Sequence, residues 1–406
     1  MVSVAHDGEV MRRGVWAVVG TVVVAWFAVG LLLLAVGAFL PGLGLLGDVG
    51  TAVAATTAAP SVVVGLVVIG AALLVRKRFR RVGAVLAGVS GVGTAAALVI
   101  CGLFWSATTN AGGSINPLLA MFPNPSTNTA PDEHTVYTTT PSGQELRAAV
   151  YRSSAANSSL LVYVHGGGWV AGSELDRGKD MRWFADRGWT VVSVEYTLAT
   201  DELHTWDVAG PQVGCALRWA VERAPGWGAD GGRVALLGDS AGGQLAVTTA
   251  YLAAQGKAVS SCGGQVPRVG AVAVQYPAVD PVGGYENGYA FGDSLATDTR
   301  RLGRAYFGGT PAEVPERYRA LSGEAVVSAQ APPTLVISPD DDVVVPAVGV
   351  RRFVDVARRG GVAVTSVALP FANHAYDTGA QGSLGNQARL SVTEGFLRRV
   401  LPVTGD

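Results

Sequence analysis

Arg233-Val234-Ala235-Leu236-Leu237-Gly238-Asp239-Ser240-Ala241-Gly242-Gly243 is an apolar, strand-like run that ends in Gly-x-Ser-x-Gly. A helix-like stretch, Gln244 to Ala254, follows directly. A serine in so sharp a strand-to-helix turn sits in a strained backbone conformation. Glycines on either side remove the Cβ atoms that would collide there. The turn lifts the hydroxyl clear of the sheet, and the helix N-terminus favours developing negative charge. In a chain with 54 glycines the hexapeptide alone decides little, so its neighbours carry the reading.

Working outward, short apolar runs alternate with helix-like segments. Val136–Thr139 and Leu146–Tyr151 flank Pro141-Ser142-Gly143 as strand, turn, strand. Leu160–Val164, Thr190–Val194, Arg233–Leu237, Ala271–Gln275, Thr334–Ser338 and Val362–Leu369 read as further strands. Helices are expected near 176–186, 208–223, 244–254, 346–359 and 386–400. This alternation implies a mostly parallel sheet with helices on both faces, an α/β fold.

His165-Gly166-Gly167-Gly168-Trp169 closes the third strand. Glycines at a strand end expose backbone N–H groups, which can point at a tetrahedral oxyanion. Gly166, Gly167 and the N–H of Ala241 form the candidate oxyanion hole. The base for Ser240 is one of five histidines. His6 is in the N-terminal tail, His134 opens a strand, His165 braces the glycine loop and His204 sits in an irregular stretch. His374, in the loop after the last strand, is left. One of Asp340, Asp341 and Asp342, after the strand at 334–338, suffices to orient the base; the others read as solvated turn or helix-capping groups.

The first hundred residues are of another kind. Residues 14–40, 52–75 and 82–105 carry no charged side chain, and each is long enough to cross a bilayer. Arg12 and Arg13 precede the first span, and Arg76-Lys77-Arg78-Phe79-Arg80-Arg81 lies between the second and third. Positive charge on the inner side puts the N-terminus in the cytoplasm and everything after Trp105 outside. The spans hold none of the ionisable groups that a transport path needs at depth, so they read as a tether. The expected organisation is a membrane anchor over 1–105, a linker over 106–133 and a catalytic domain over 134–406. A net charge of −1 gives no electrostatic case for nucleic acid. The three cysteines lack metal-ligand spacing; Cys215 and Cys262 could pair if their part of the chain is exported.

His165–Trp169, Gly238–Gly243, Pro332–Pro346 and Phe371–Tyr376 together resemble the α/β-hydrolase superfamily. Within it they resemble the esterase/lipase branch related to hormone-sensitive lipase and to bacterial feruloyl- and acetylxylan-type carboxylesterases. The resemblance covers roughly 134–402 and agrees with the chain order Ser, Asp, His. It implies that the acid is the last position of a Gly-x-x-Asp turn. Pro339 replaces that glycine, and the matching acid is Asp342, with Asp341 and Asp340 as alternatives. The sequence departs from the family at Tyr196-Thr197-Leu198, where an arginine is usual, and at Val213, where an acid is usual. N-terminal cap helices have no counterpart, because 106–131 is not helical in pattern. Residues 281–330 read as a lid or insert, whose Tyr285, Tyr289, Phe291, Tyr306 and Phe307 either line a pocket or simply pack.

The expected function is a membrane-tethered serine hydrolase that cleaves carboxylic esters through Ser240, His374 and Asp342, with no metal or organic cofactor. Its expected partners are a small-molecule, lipid or glycan acyl ester and the lipid bilayer. An amidase, formamidase or transacylase on the same site is one alternative. A catalytically inactive extracytoplasmic binding module is the other.

Overall fold

The computed structural model describes residues 2–125, 129–289 and 298–401. The chain forms two compact units. One comprises residues up to Ser106, Ile115–Asn124 and Pro370–Gln387; the other comprises Ala107–Ser114, Pro125–Leu369 and the chain from Ala388 onward.

The first unit is built on three long helices, α1 (Val2–Phe39), α2 (Leu45–Arg78) and α3 (Arg80–Asn110). Gly14–Phe39, Leu45–Arg78 and Arg80–Asn110 are long and apolar enough to cross a membrane. Val24, Ala28, Leu31, Val68, Ala72 and Leu86 pack together between them, while Trp16, Trp26, Leu66 and Val67 point outward, exposed. At the α1–α2 turn the backbones touch: a Cβ on Gly50 would collide with the backbone of Gly37. The 106–133 stretch, expected to be a linker without helical pattern, differs. Its first residues continue α3 to Asn110, and Pro117–Met121 forms α4. Asn116 caps α4 by accepting from Leu118 N at 3.0 Å and Leu119 N at 3.3 Å, and Pro117 stands where no amide donor is needed. Segment 370–387 folds with these helices. The rings of Phe371 and Phe39 lie 4.8 Å apart, and the Gln387 amide bonds both backbone groups of Asn116.

The second unit is organised by eight strands: β1 (Glu133–Thr139), β2 (Glu145–Tyr151), β3 (Ser158–Val164), β4 (Trp189–Val194), β5 (Ala229–Asp239), β6 (Ala271–Gln275), β7 (Thr334–Pro339) and β8 (Val364–Leu369). They form one sheet in the order β1-β2-β4-β3-β5-β6-β7-β8. The β1–β2 and β2–β4 pairs are antiparallel and the rest are parallel. Every residue of β3, β4, β6 and β7 is buried, as in strands covered on both faces. On the edge strand β8, Val367 and Leu369 are buried while Ser366 and Ala368 are exposed. The chain has the α/β-hydrolase fold. Between and after the strands run α5 (Gly178–Ala185), α6 (Ala209–Arg223), α7 (Ser240–Ala254), α8 (Pro281–Asn287), α9 (Thr299–Phe307), α10 (Pro315–Ala320), α11 (Ala347–Arg359) and α12 (Leu384–Val400). A Cys215–Cys262 disulfide, Cα to Cα 5.5 Å, ties α6 to the loop beyond α7.

Candidate active site

Strand β5 runs without a break into α7, and Ser240 is the first residue of that helix. Asp239 is extended at φ −118°, and Ser240 turns abruptly to φ 51°. That is left-handed backbone which a residue with a Cβ seldom adopts. The flanking glycines answer to sterics. A Cβ on Gly238 would meet the Gly242 carbonyl, and one on Gly242 would meet the carbonyls of Val164 and His165.

Parallel register pairs Val164 at the end of β3 with Gly238 of β5, so the glycine loop begins beside the serine. A Cβ built on Gly166 would stand 3.5 Å from Ser240 Cβ. Gly167 at φ 108° and Gly168 at φ 60° hold the loop in conformations suited to glycine. His165 braces it: Nδ1 donates to Gly166 O at 2.7 Å, and the ring stacks on Tyr196 at 4.4 Å. Burial holds the His165 imidazole below its ordinary pKa, and among the described residues its buried Nε2 has no hydrogen-bond partner. Trp169 closes the loop, donating to Gln244 Oε1 at 3.1 Å and stacking on Tyr306 at 4.5 Å.

The three aspartates after β7 are unlike one another. Asp342 is buried, and its Oδ1 accepts from Val344 N at 2.9 Å and Val345 N at 2.7 Å. Asp340 lies 3.8 Å from Arg351 with its side chain about half exposed. Burial, and then the Asp340 charge, push the Asp341 carboxyl up to about 6. His134 is committed to Glu174 at 2.6 Å, and His204 Nδ1 donates to Ala305 O at 2.8 Å. His374 lies in the 370–387 segment of the helical unit, where its N–H donates to Asn373 Oδ1 at 2.7 Å.

Behind the serine lies a network that the sequence reading did not include. Asp239 is 5% exposed. It accepts from Tyr163 Oη at 2.7 Å, Arg177 Nη2 at 3.0 Å and Arg389 Nη2 at 3.1 Å. Arg389 also pairs with buried Asp180. Burial pushes the Asp239 carboxyl up, but Arg389, Arg177 and the Tyr163 hydrogen bond outweigh it and hold it below the usual range. The signal was present: a carboxylate at the end of an apolar buried strand must find cations.

A cavity of about 50 Å³ opens beside Ser240. Trp169, Tyr285, Leu302, Phe307 and Val344 are among the residues lining it. Two aromatics of the 281–330 insert, Tyr285 and Phe307, therefore line the pocket, whereas Tyr306 is stacked on Trp169 and Tyr289 is exposed. Phe291 lies outside the described residues.

Residues 149–354, half of the chain, match the protein family BD-FAE. An ethyl acetate hydrolase from Pseudomonas putida is 31% identical over 246 residues, 58% of this chain and 73% of that protein. Esterase LipC from Mycobacterium tuberculosis is 30% identical over 224 residues, 54% of this chain and 53% of that protein, so the match spans about half of LipC. Among solved structures, apo Thermogutta terrifontis esterase 2 superposes with a TM-score of 0.55 at 21% identity, covering 68% of this chain and 96% of that one; it bears on the fold alone. The chain belongs to the BD-FAE family and, more broadly, to the esterase/lipase branch of the α/β-hydrolases. It is a carboxylic ester hydrolase.

Proposed function

We propose that the protein is a membrane-tethered serine esterase facing the extracytoplasmic side, acting on short-chain acyl esters. Ser240 Oγ attacks the ester carbonyl. His374 takes its proton and returns it to the leaving alcohol, and Asp342 orients the imidazole. The N–H groups of Gly166, Gly167 and Ala241 hold the oxyanion, and water then deacylates Ser240.

The strained Ser240 with the Gly166 backbone alongside carries this reading. A lone surface serine has no reason to be held at φ 51°. A small cavity beside Ser240, lined by Trp169, Leu302, Phe307 and Val344, supports a short apolar acyl group. Three long apolar helices, the basic 76–81 loop and the Cys215–Cys262 disulfide support the tether and its orientation, because disulfides persist in oxidising compartments. The organisation we propose is an anchor over 1–105, a connecting stretch over 106–133 and a hydrolase over 134–406 with its insert at 281–330; the 370–387 segment of the hydrolase packs into the helical unit.

The test compares the full chain with Ser240→Ala in detergent. Both are treated with a fluorophosphonate probe and assayed on p-nitrophenyl acetate, butyrate and octanoate. Labelling and turnover present in the wild type and absent in the variant are expected, with acetate or butyrate preferred. Cleavage of an amide but not its matching ester would make it an amidase. A folded wild type that takes no label would be a binding module.

A further inference from the structure

We propose that α2 positions the catalytic base: Thr51, through Asn373, fixes the backbone of His374. This rests on the reading of His374 as the base, and it gives the apolar helices a part in catalysis beyond tethering.

The link is a buried polar relay of fixed direction. Asn373 is 2% exposed and Thr51 1%. The N–H of His374 donates to Asn373 Oδ1 at 2.7 Å, and Asn373 Nδ2 donates to Thr51 Oγ1 at 3.0 Å. The Thr51 hydroxyl donates onward to the α2 carbonyls of Gly47 at 3.1 Å and Asp48 at 3.2 Å. Each step pairs a donor with an acceptor, so the asparagine has one orientation only; flipped, it would set NH₂ against N–H at His374.

The loop needs such a hold. Phe371 at φ 54° and Ala375 at φ 56° stand on either side of His374 in left-handed backbone, a conformation that persists only where the surroundings over-determine it. Asn373 and the Phe371–Phe39 ring contact supply that constraint, and both end on the α1–α2 hairpin. The hairpin is itself stiff where it matters. Gly50, next to Thr51, touches the backbone of Gly37, and Gly47 is packed against Pro41. A misplacement of about 1 Å in a catalytic group can cost about a hundredfold in rate. A base carried by this loop takes its position from α2. Thr51 and Asn373 are therefore positioning residues.

The experiment uses the full chain in detergent or reconstituted bilayers with p-nitrophenyl acetate. Thr51→Val deletes the hydroxyl at nearly constant shape, and Thr51→Ser keeps it. Thr51→Val is expected to lower kcat at least tenfold with KM within about twofold, and to shift the acidic limb of the kcat/KM–pH profile. Thr51→Ser should restore both to within about twofold of wild type. Wild-type kcat and pH profile in Thr51→Val would overturn the proposal, and so would a Thr51→Ser variant as defective as Thr51→Val. If Thr51→Val does not fold, Asn373→Asp takes its place. It keeps the acceptor for His374 but loses the donor to Thr51, and wild-type kcat in it would overturn the proposal. His374→Ala separates the two readings. If it retains turnover, the base assignment fails; if it is dead while Thr51→Val is fully active, only the positioning role fails.

Discussion

Arg389 Nη2 lies 3.1 Å from Asp239 Oδ1, joining the residue before Ser240 to a helix 150 residues further on. Both groups are almost fully buried, and with Arg177 and Asp180 they make two cations against two anions. Removing one member leaves the others buried and unbalanced, at a cost of roughly 3–5 kcal/mol. Arg389→Met should therefore lower the thermal midpoint by roughly 6–15 °C, as followed by differential scanning fluorimetry. An unchanged midpoint would show that the network contributes nothing net.

The same carboxylate sets an acid limit. Its pKa is depressed in the folded chain, so its contribution is present above the unfolded value, about 3.9, and is lost as pH falls through the folded value. His165 acts earlier. Its depressed pKa means the folded chain resists protonation that the unfolded chain accepts below about 6.5. Midpoints measured from pH 8 to 4 should start to fall near 6.5, and His165→Gln should flatten that first decline. If the variant declines as the wild type does, another group is responsible.

Among the three aspartates, Asp342→Asn should cut kcat by roughly 10³–10⁴-fold, the scale seen when a triad carboxylate is neutralised. Asp340→Asn and Asp341→Asn should stay within a few-fold of wild type. Steady-state kinetics on p-nitrophenyl acetate decide it, and a reversed order would reassign the acid.

Leu302 lines the cavity beside Ser240 and lies against Gly168. Leu302→Ala should open the pocket and raise the octanoate-to-acetate ratio of kcat/KM by roughly 10–100-fold. An unchanged ratio would show that the acyl chain lies elsewhere.

The orientation of the chain can be read with reporters. A periplasm-active reporter fused after the C-terminus should be active, and one placed in the 76–81 loop should be silent. Activity in both places would overturn the proposed topology. The Cys215–Cys262 pair, closing a loop of 47 residues, should stabilise the fold by about 4 kcal/mol by chain-entropy reasoning. A lower midpoint for Cys262→Ala would register it.

Local rules carried the reading a long way. The strand, turn and helix around Ser240 are dictated by glycine sterics over a few residues, and the strand at Ala271–Gln275 stands where its apolar run placed it. Strand β5 begins earlier than expected, at Ala229, because Ala229 pairs with Ser158 despite a polar, glycine-containing sequence. Helix α4 was missed although Asn116-Pro117 is a start signal; five residues are too few for a periodic pattern. Asp239–Arg389 and Thr51–Asn373, 150 and 322 residues apart, obey no spacing rule, because only the folded chain brings such partners together.

Because Pro370–Gln387 completes the unit begun by the first hundred residues, order of synthesis matters. The ribosome finishes α1 to α3 and then spends on the order of tens of seconds on the intervening chain. Through that interval the buried hydroxyl of Thr51 has no asparagine to meet. A product that stops short of residue 370 would carry Ser240, its glycine loop and all three aspartates, yet lack His374, the proposed base. With His374 as the proposed base, chains that stop before it would be inert, and hydrolysis would begin only once the 370–387 segment has emerged and folded with the helices.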